Sequence, residues 1–293
     1  MTTRRDFLKQ TTVLCSCVGS VRLLDSVFAV ERSATMKLGL VTYNWGQDWD
    51  VPTLIAHCER ARLSGIELRV DHAHNVSPKL SAEERKTIAK RFADTPVELV
   101  GFGTNFDFHS PDSRNVQRNI EGAKEYVLLS KDCGSTGVKV KPNALPKEVE
   151  REKTVAQIAR SLSELGKFAA EHGQKIRLEV HGSDTSAIPV IKSIIDQVPE
   201  KNVGLCWNCN SQDLADPGLK ANFASVKNRF SDVVHVRDLA SKSYPTKELF
   251  DLLRAENYEG YLLVEEASTN LSAEERIKRL SQSVETLVQW YAT

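Results

Sequence analysis

From Lys37 to the C-terminus the chain repeats one cycle: a short apolar run, a polar turn, then an amphipathic stretch at helical spacing. The apolar runs predict strands at 37–43 (KLGLVTY), 65–70 (GIELRV), 97–103 (VELVGFG), 137–141 (GVKVK), 175–180 (KIRLEV), 202–207 (NVGLCW), 232–237 (DVVHVR) and 261–265 (YLLVE). Helices are predicted between them at 52–63, 81–93, 113–132, 150–172, 185–196, 216–229, 246–256 and 272–291. The two copies of SAEER, from Ser81 and from Ser272, read as capping boxes, with serine at the N-cap and glutamate three residues on. Eight βα units in about 255 residues match the rhythm of a single (β/α)8 TIM barrel. An open doubly wound sheet would carry a glycine-rich phosphate turn after its first strand, and YNWGQDWDVP holds one glycine.

Composition adds a boundary and removes a function class. The 293 residues carry no net formal charge, so nothing draws the chain to nucleic acid in general, and no nucleic-acid partner is expected. Near the start, Arg4 and Arg5 precede Phe7, Leu8 and Lys9 and then a weakly apolar stretch. This resembles a twin-arginine export signal over residues 1–30, with VFA at 27–29 as its cleavage region. The expected domains are therefore a signal segment, 1–30, and a barrel, 36–293. The expected location is periplasmic, with no stable membrane insertion after cleavage. Cys58, Cys133, Cys206 and Cys209 are too spread for a disulfide scaffold, and the CxxC at 206–209 has no second pair with which to build a zinc site.

Barrel chemistry collects where strands end and βα loops begin. Strand five ends on Glu179 with His181 beyond it, strand six on Asn208, strand seven carries His235 and Arg237, and strand eight ends on Glu265. The steps from 179 to 208, 208 to 235 and 235 to 265 are 29, 27 and 30 residues, each one βα unit. Four adjacent strands thus bring two carboxylates, an amide oxygen and an imidazole to similar heights. Paired glutamates in a dry pocket repel, and a divalent cation relieves that cost. Oxygen-rich donors with one imidazole suit Mn²⁺ first, with Mg²⁺, Co²⁺, Fe²⁺ and Zn²⁺ as rivals. Further strand-end groups, His74, His109, Lys141, His181 and Arg237, are expected to meet the substrate. Trp45 and Trp207 fit either a sugar face or the core.

The run of units with LEVHG, HVRD and LLVEEAS, together with IELRVDHAHNV, FHSPD and GVKVKPN, resembles the sugar phosphate isomerase/epimerase family of xylose isomerase-like TIM barrels. The resemblance spans about residues 36 to 293. It implies that Glu179 and Glu265 bind the metal and handle the proton, and that His235 is the strand-seven ligand. The family's strand-six ligand is usually an aspartate, with a histidine three residues later; here those positions hold Asn208 and Ser211. The expected activity is a metal-dependent isomerisation or epimerisation of a small sugar or keto-sugar by proton abstraction beside a carbonyl. Elimination from a keto-glycoside at the same site, and a non-catalytic sugar-binding barrel, are the alternatives. Metal-dependent phosphodiester cleavage would need more histidine and carboxylate ligands than the strand ends supply. A homo-oligomer is compatible with the sequence.

Overall fold

The computed structural model describes residues 35–268 and 270–293; the expected export signal lies outside them. Eight parallel strands form a closed barrel in chain order. They are β1 (Lys37–Val41), β2 (Gly65–Arg69), β3 (Glu98–Asp107), β4 (Gly137–Lys141), β5 (Lys175–Glu179), β6 (Val203–Trp207), β7 (Phe230–Val236) and β8 (Tyr261–Val264). The helices are α1 (Val51–Ala61), α2 (Ala82–Ala93), α3 (Ser113–Asp132), α4 (Arg151–Glu171), α5 (Ile188–Ile195), α6 (Leu219–Val226), α7 (Thr246–Ala255) and α8 (Ala273–Ala292). The barrel closes where β1 pairs with β8, Lys37 opposite Tyr261 and Leu40 opposite Val264.

Local chemistry explains most boundaries. Ser81 and Ser272 cap α2 and α8 with complete capping boxes, each side chain accepting from the N3 amide while that residue's carboxylate takes the cap amide. Asp50 caps α1 ahead of a first-turn proline. The strand β3 runs to Asp107, four residues beyond the apolar run. Its extra length is held by Phe106, which packs against Tyr126 of α3 with ring centroids 5.9 Å apart. The segments expected at 185–196 and 216–229 hold shorter helices, α5 and α6, because the residues after β5 and β6 form loops over the barrel mouth. In the second loop a 3-10 turn, Ser211–Leu214, precedes α6.

Outward strand residues such as Leu40, Ile66, Phe102, Val140, Leu178 and Val234 pack in one continuous core with the apolar helix faces. The inward positions differ. Side chains alternate along a strand, so Arg177 and Glu179 both face inward, at successive levels. At the lower level Arg177 is fully buried. It donates from Nε to Asp232 Oδ1 (2.9 Å), and its guanidinium also reaches Asp232 Oδ2, the Val100 carbonyl and Thr136 Oγ1. A Cβ at Gly101 would collide with that guanidinium, so the glycine makes its space. Burial opposes both charges, yet the pairing holds Asp232 far below the usual carboxylate range.

The loop after β6 carries a buried carboxyl of the opposite kind. Asp213 Oδ2 accepts from the Asn210 amide (2.7 Å) and from the Tyr244 hydroxyl (3.0 Å), while Oδ1 has no hydrogen-bond partner. Burial, only partly offset by those two donors, pushes its pKa up to about 7.

Two stability predictions follow from these buried groups. Arg177→Met removes the buried partner of the half-buried Asp232 and leaves it the exposed Lys175 (2.9 Å) as its counter-charge; it should lower the unfolding free energy by about 1–3 kcal/mol in urea denaturation. A change within about 0.5 kcal/mol would show that Lys175 alone satisfies Asp232. For Asp213 the folded pKa lies above the unfolded value of 3.8. The folded state therefore keeps a proton that the unfolded chain has lost, and this contribution is present below about pH 4 and lost as pH rises through about 7. Asp213→Asn keeps an acceptor for both donors and cannot ionise. Its stability should gain on that of the wild type between pH 5 and 8, by at most a few kcal/mol; parallel profiles would contradict the assignment.

Candidate functional site

Glu179 is the last residue of β5, His235 is the penultimate residue of β7, and Asn208 and Glu265 lie one residue beyond β6 and β8. All four are buried, and one donor atom from each of Glu179, His235 and Glu265 lies within 4.8 Å of the others. His235 Nδ1 is 3.7 Å from Glu179 Oε1 and 3.6 Å from Glu265 Oε2. These separations are too long for hydrogen bonds, and neither ring nitrogen of His235 has a hydrogen-bond partner. The neighbouring Glu266 accepts from the Asp238 amide at 2.8 Å, which fixes Glu265 as the inward residue of the pair.

Three further charged groups reach the same space. Lys139, fully buried in the middle of β4, donates from Nζ to Glu179 Oε2 at 2.5 Å. Lys141, at the end of the same strand, brings its ammonium within 3.9 Å of that oxygen. Glu67, fully buried in the middle of β2, sets Oε1 3.3 Å from His235 Nε2, and neither of its oxygens has a hydrogen-bond partner. A Cβ at Gly103 would stand 2.6 Å from Glu67 Oε1, so that glycine clears the space the carboxylate occupies.

The charges shape one another. Burial works against ionised Glu179, but Lys139, then His235 and Lys141, outweigh it and hold the carboxyl well below the usual range. Glu265 shows the same contest, with His235 outweighing burial and the repulsion of Glu179 limiting the fall. Burial pulls His235 down, but its acidic surroundings push it well above the usual value. Among them we assign the pull to Glu67 and Glu265 rather than to Cys206, whose thiol burial keeps protonated. Lys141 is lowered by burial and by the neighbouring Lys139. His181 is lowered by burial, which outweighs the attraction of Glu179.

The remaining sequence expectations separate. Asn208 is present but turned: its Nδ2 donates to Glu179 Oε1 at 2.9 Å. A carboxylate only accepts, so the amide presents its NH₂ there, and it is this NH₂ rather than the expected carbonyl that meets Glu179. His74 accepts at Nδ1 from the Val76 amide and bonds at Nε2 to the Arg69 carbonyl, which leaves neither nitrogen for a ligand. It pins the loop after β2 instead. Burial, against that backbone bond, lowers its pKa to about 4. His109 Nδ1 stands 3.2 Å from Asp107 Oδ1, beyond the end of β3 and outside the three-residue cluster. Arg237 donates to the Glu265 carbonyl at 2.7 Å and so ties the two last strand ends together. Trp45 and Trp207 are fully buried core residues. Cys206 and Cys209 are buried free thiols.

A divalent cation fits three of the four expected donors. The unpartnered Nδ1 of His235, facing two carboxylate oxygens, is the arrangement an ion spanning three ligands would use. Glu67 behind Nε2 would fix the ring's orientation.

Comparison with known proteins agrees with this architecture. A family model described as xylose isomerase-like TIM barrel matches residues 55–289. The chain belongs to the xylose isomerase-like TIM barrel family. Among solved structures, this xylose isomerase-like barrel is similar to an IolI protein with a bound zinc atom (TM-score 0.74, 17% identity, covering 88% of this chain and 100% of the other). It is also similar to L-ribulose 3-epimerase (TM-score 0.73, 16% identity, covering 88% and 96%). A third is 3-keto-D-glucoside 4-epimerase from E. coli in its apo form (TM-score 0.71, 14% identity, covering 86% and 100%). At such identities the likeness is one of fold. No curated protein matches the sequence.

Strand-end reading of this xylose isomerase-like barrel misses Glu67 and Lys139, which lie one level deeper. Their signal is a charged residue in the middle of an otherwise apolar strand, GIELR and GVKVK. If Glu67 holds the His235 ring, Gly103→Ala should displace the Glu67 carboxylate and alter the His235 ring signals in NMR spectra. The overall fold should stay intact by circular dichroism. Unchanged imidazole resonances would show that Glu67 does not position the ring.

Proposed function

We propose that this protein is a sugar isomerase or epimerase that removes a proton from carbon beside a carbonyl group. The observation that carries the reading is the pair of inward carboxylates, Glu179 and Glu265, facing one imidazole at the mouth of the barrel. Family membership and the sugar epimerases among the similar structures support it. Glu179, His235 and Glu265 would hold a divalent cation, with Mn²⁺ suited to two carboxylates and one imidazole. Such an ion, when bound, polarises a carbonyl and stabilises an enediolate.

The chain's own residues divide the remaining work. Glu265 is the base: it takes the proton from the substrate carbon, and the electron pair of that C–H bond moves toward the carbonyl oxygen. Returning that proton from Glu265 to the neighbouring carbon gives an isomer; an epimer forms when water delivers a proton to the opposite face of the original carbon while Glu265 keeps the abstracted one. Glu179 accepts from both Lys139 and Asn208 and is the weaker base, so it serves as a fixed negative wall that orients His235 and the substrate hydroxyls. Lys141 and His181, nearer the opening, are placed to donate to the oxygen that gains charge. With the twin-arginine-like start, this enzyme acts outside the cytoplasm, on a free sugar or an oxidised glycoside.

In deuterated water, keto-sugars incubated with the protein should gain deuterium at the carbon beside the carbonyl, with the product identified by NMR. Glu265→Gln should lower that exchange by about 10²-fold or more while the fold is kept. Exchange at the wild-type rate in the variant would reject Glu265 as base. Loss of a glycosidic substituent instead of a shifted hydroxyl would convert the reading to a lyase using the same first step.

A further inference from the structure

We propose that Lys139 is the resident cation of this centre, competing with a divalent metal ion for Glu179 and keeping metal affinity low. The proposal rests on the geometry of the centre, not on which sugar is turned over. Both oxygens of Glu179 are engaged. Oε2 accepts from Lys139 at 2.5 Å, and Oε1 accepts from Asn208 at 2.9 Å. An ion placed among Glu179 Oε1, His235 Nδ1 and Glu265 Oε2 would meet the NH₂ of Asn208 on its first ligand atom. On the other side of the same carboxylate it would face a fixed ammonium.

Charge counting leads to the same place. Against the four-ligand set implied by the sequence resemblance, asparagine at 208 removes one negative charge and Lys139 adds one positive charge. Together they move the centre two units toward positive charge, of which the buried Glu67 carboxylate beside His235 offsets one. Lys139 cannot turn away to escape such an ion. Its side chain is fully buried in the middle of β4, and its Cε packs by Gly103, where an added Cβ would lie 3.5 Å from it. The ammonium is built into the barrel wall. A fixed ammonium gives Glu179 its counter-charge by hydrogen bonding and occupies one side of the carboxylate that an ion would use.

The test compares metal binding by the wild-type chain and by Lys139→Met, with MnCl₂ and ZnCl₂ as probes in isothermal titration calorimetry. Metal content is measured by mass spectrometry after dialysis against EDTA. Wild-type protein should retain no stoichiometric metal. Lys139→Met should bind one equivalent at least about tenfold more tightly, and adding Glu265→Gln should remove that gain. Retention of one equivalent by wild-type protein through EDTA, coincident titrations, or a gain that survives Glu265→Gln would each overturn the proposal. If Lys139→Met does not fold, wild-type protein with ¹⁵N-labelled lysine decides. Raising Zn²⁺ until the site fills should shift the Lys139 Nζ resonance, and an unmoved resonance refutes competition. Absence of deuterium exchange from keto-sugars would refute the sugar reading and leave these metal measurements as they stand.

Discussion

Everything at the mouth of this barrel is arranged around a carboxylate that cannot be left alone. Glu179 is almost wholly buried. An uncompensated ion there would cost several kcal/mol. Lys139 removes most of that cost, and in doing so fixes where Glu179 points. His235, Asn208 and Glu265 are then placed relative to a carboxylate that has one orientation. A well-packed apolar pair in the same positions would be as stable or more so.

The barrel interior accommodates so many ions because it is built in levels and because glycines leave space between them. Arg177 and Asp232 close the lower level, with room made at Gly101. Glu67 sits higher, in the space left at Gly103, and Lys139 reaches Glu179 from the neighbouring wall. The larger apolar core lies outside, between strands and helices, and a smaller cluster of inward residues, Val41, Val100, Cys206, Val233 and Leu263, shares the interior with the charges. The division separates two tasks: the outer layer holds the cylinder closed, and the inner wall is free to carry opposite charges that specify one another's positions.

The sequence displayed the outer layer plainly, because burial between strand and helix enforces period-2 and period-3.6 patterns that survive in the letters. Capping serines marked α2 and α8 for the same reason: the cap is a local bond. Glu179, His235 and Glu265 were legible because a βα unit has nearly constant length, so a side chain at one strand end predicts the next. Glu67 and Lys139 obey the alternation rule equally, but a strand-end search does not reach their level. The orientation of Asn208 was illegible for another reason. Its NH₂ faces Glu179 because that oxygen can only accept, and this is known only once the two side chains are adjacent. His74 misled because the turn after β2 uses both of its nitrogens for backbone bonds that no spacing rule reveals.

The two glutamates also show why residue type does not assign a role. Both are buried, both face His235, and both end a barrel strand or follow one. Glu179 receives an ammonium and an amide, which stabilise its anion and weaken it as a base. Glu265 receives neither as a hydrogen bond; burial opposes its charge, His235 outweighs that and lowers its pKa, and the repulsion of Glu179 limits the fall. A base must gain more from taking a proton than its surroundings gain from keeping it charged. On that criterion the proposed reaction assigns the proton to Glu265, and the Lys139 that makes Glu179 the poorer base also holds its carboxylate in one orientation.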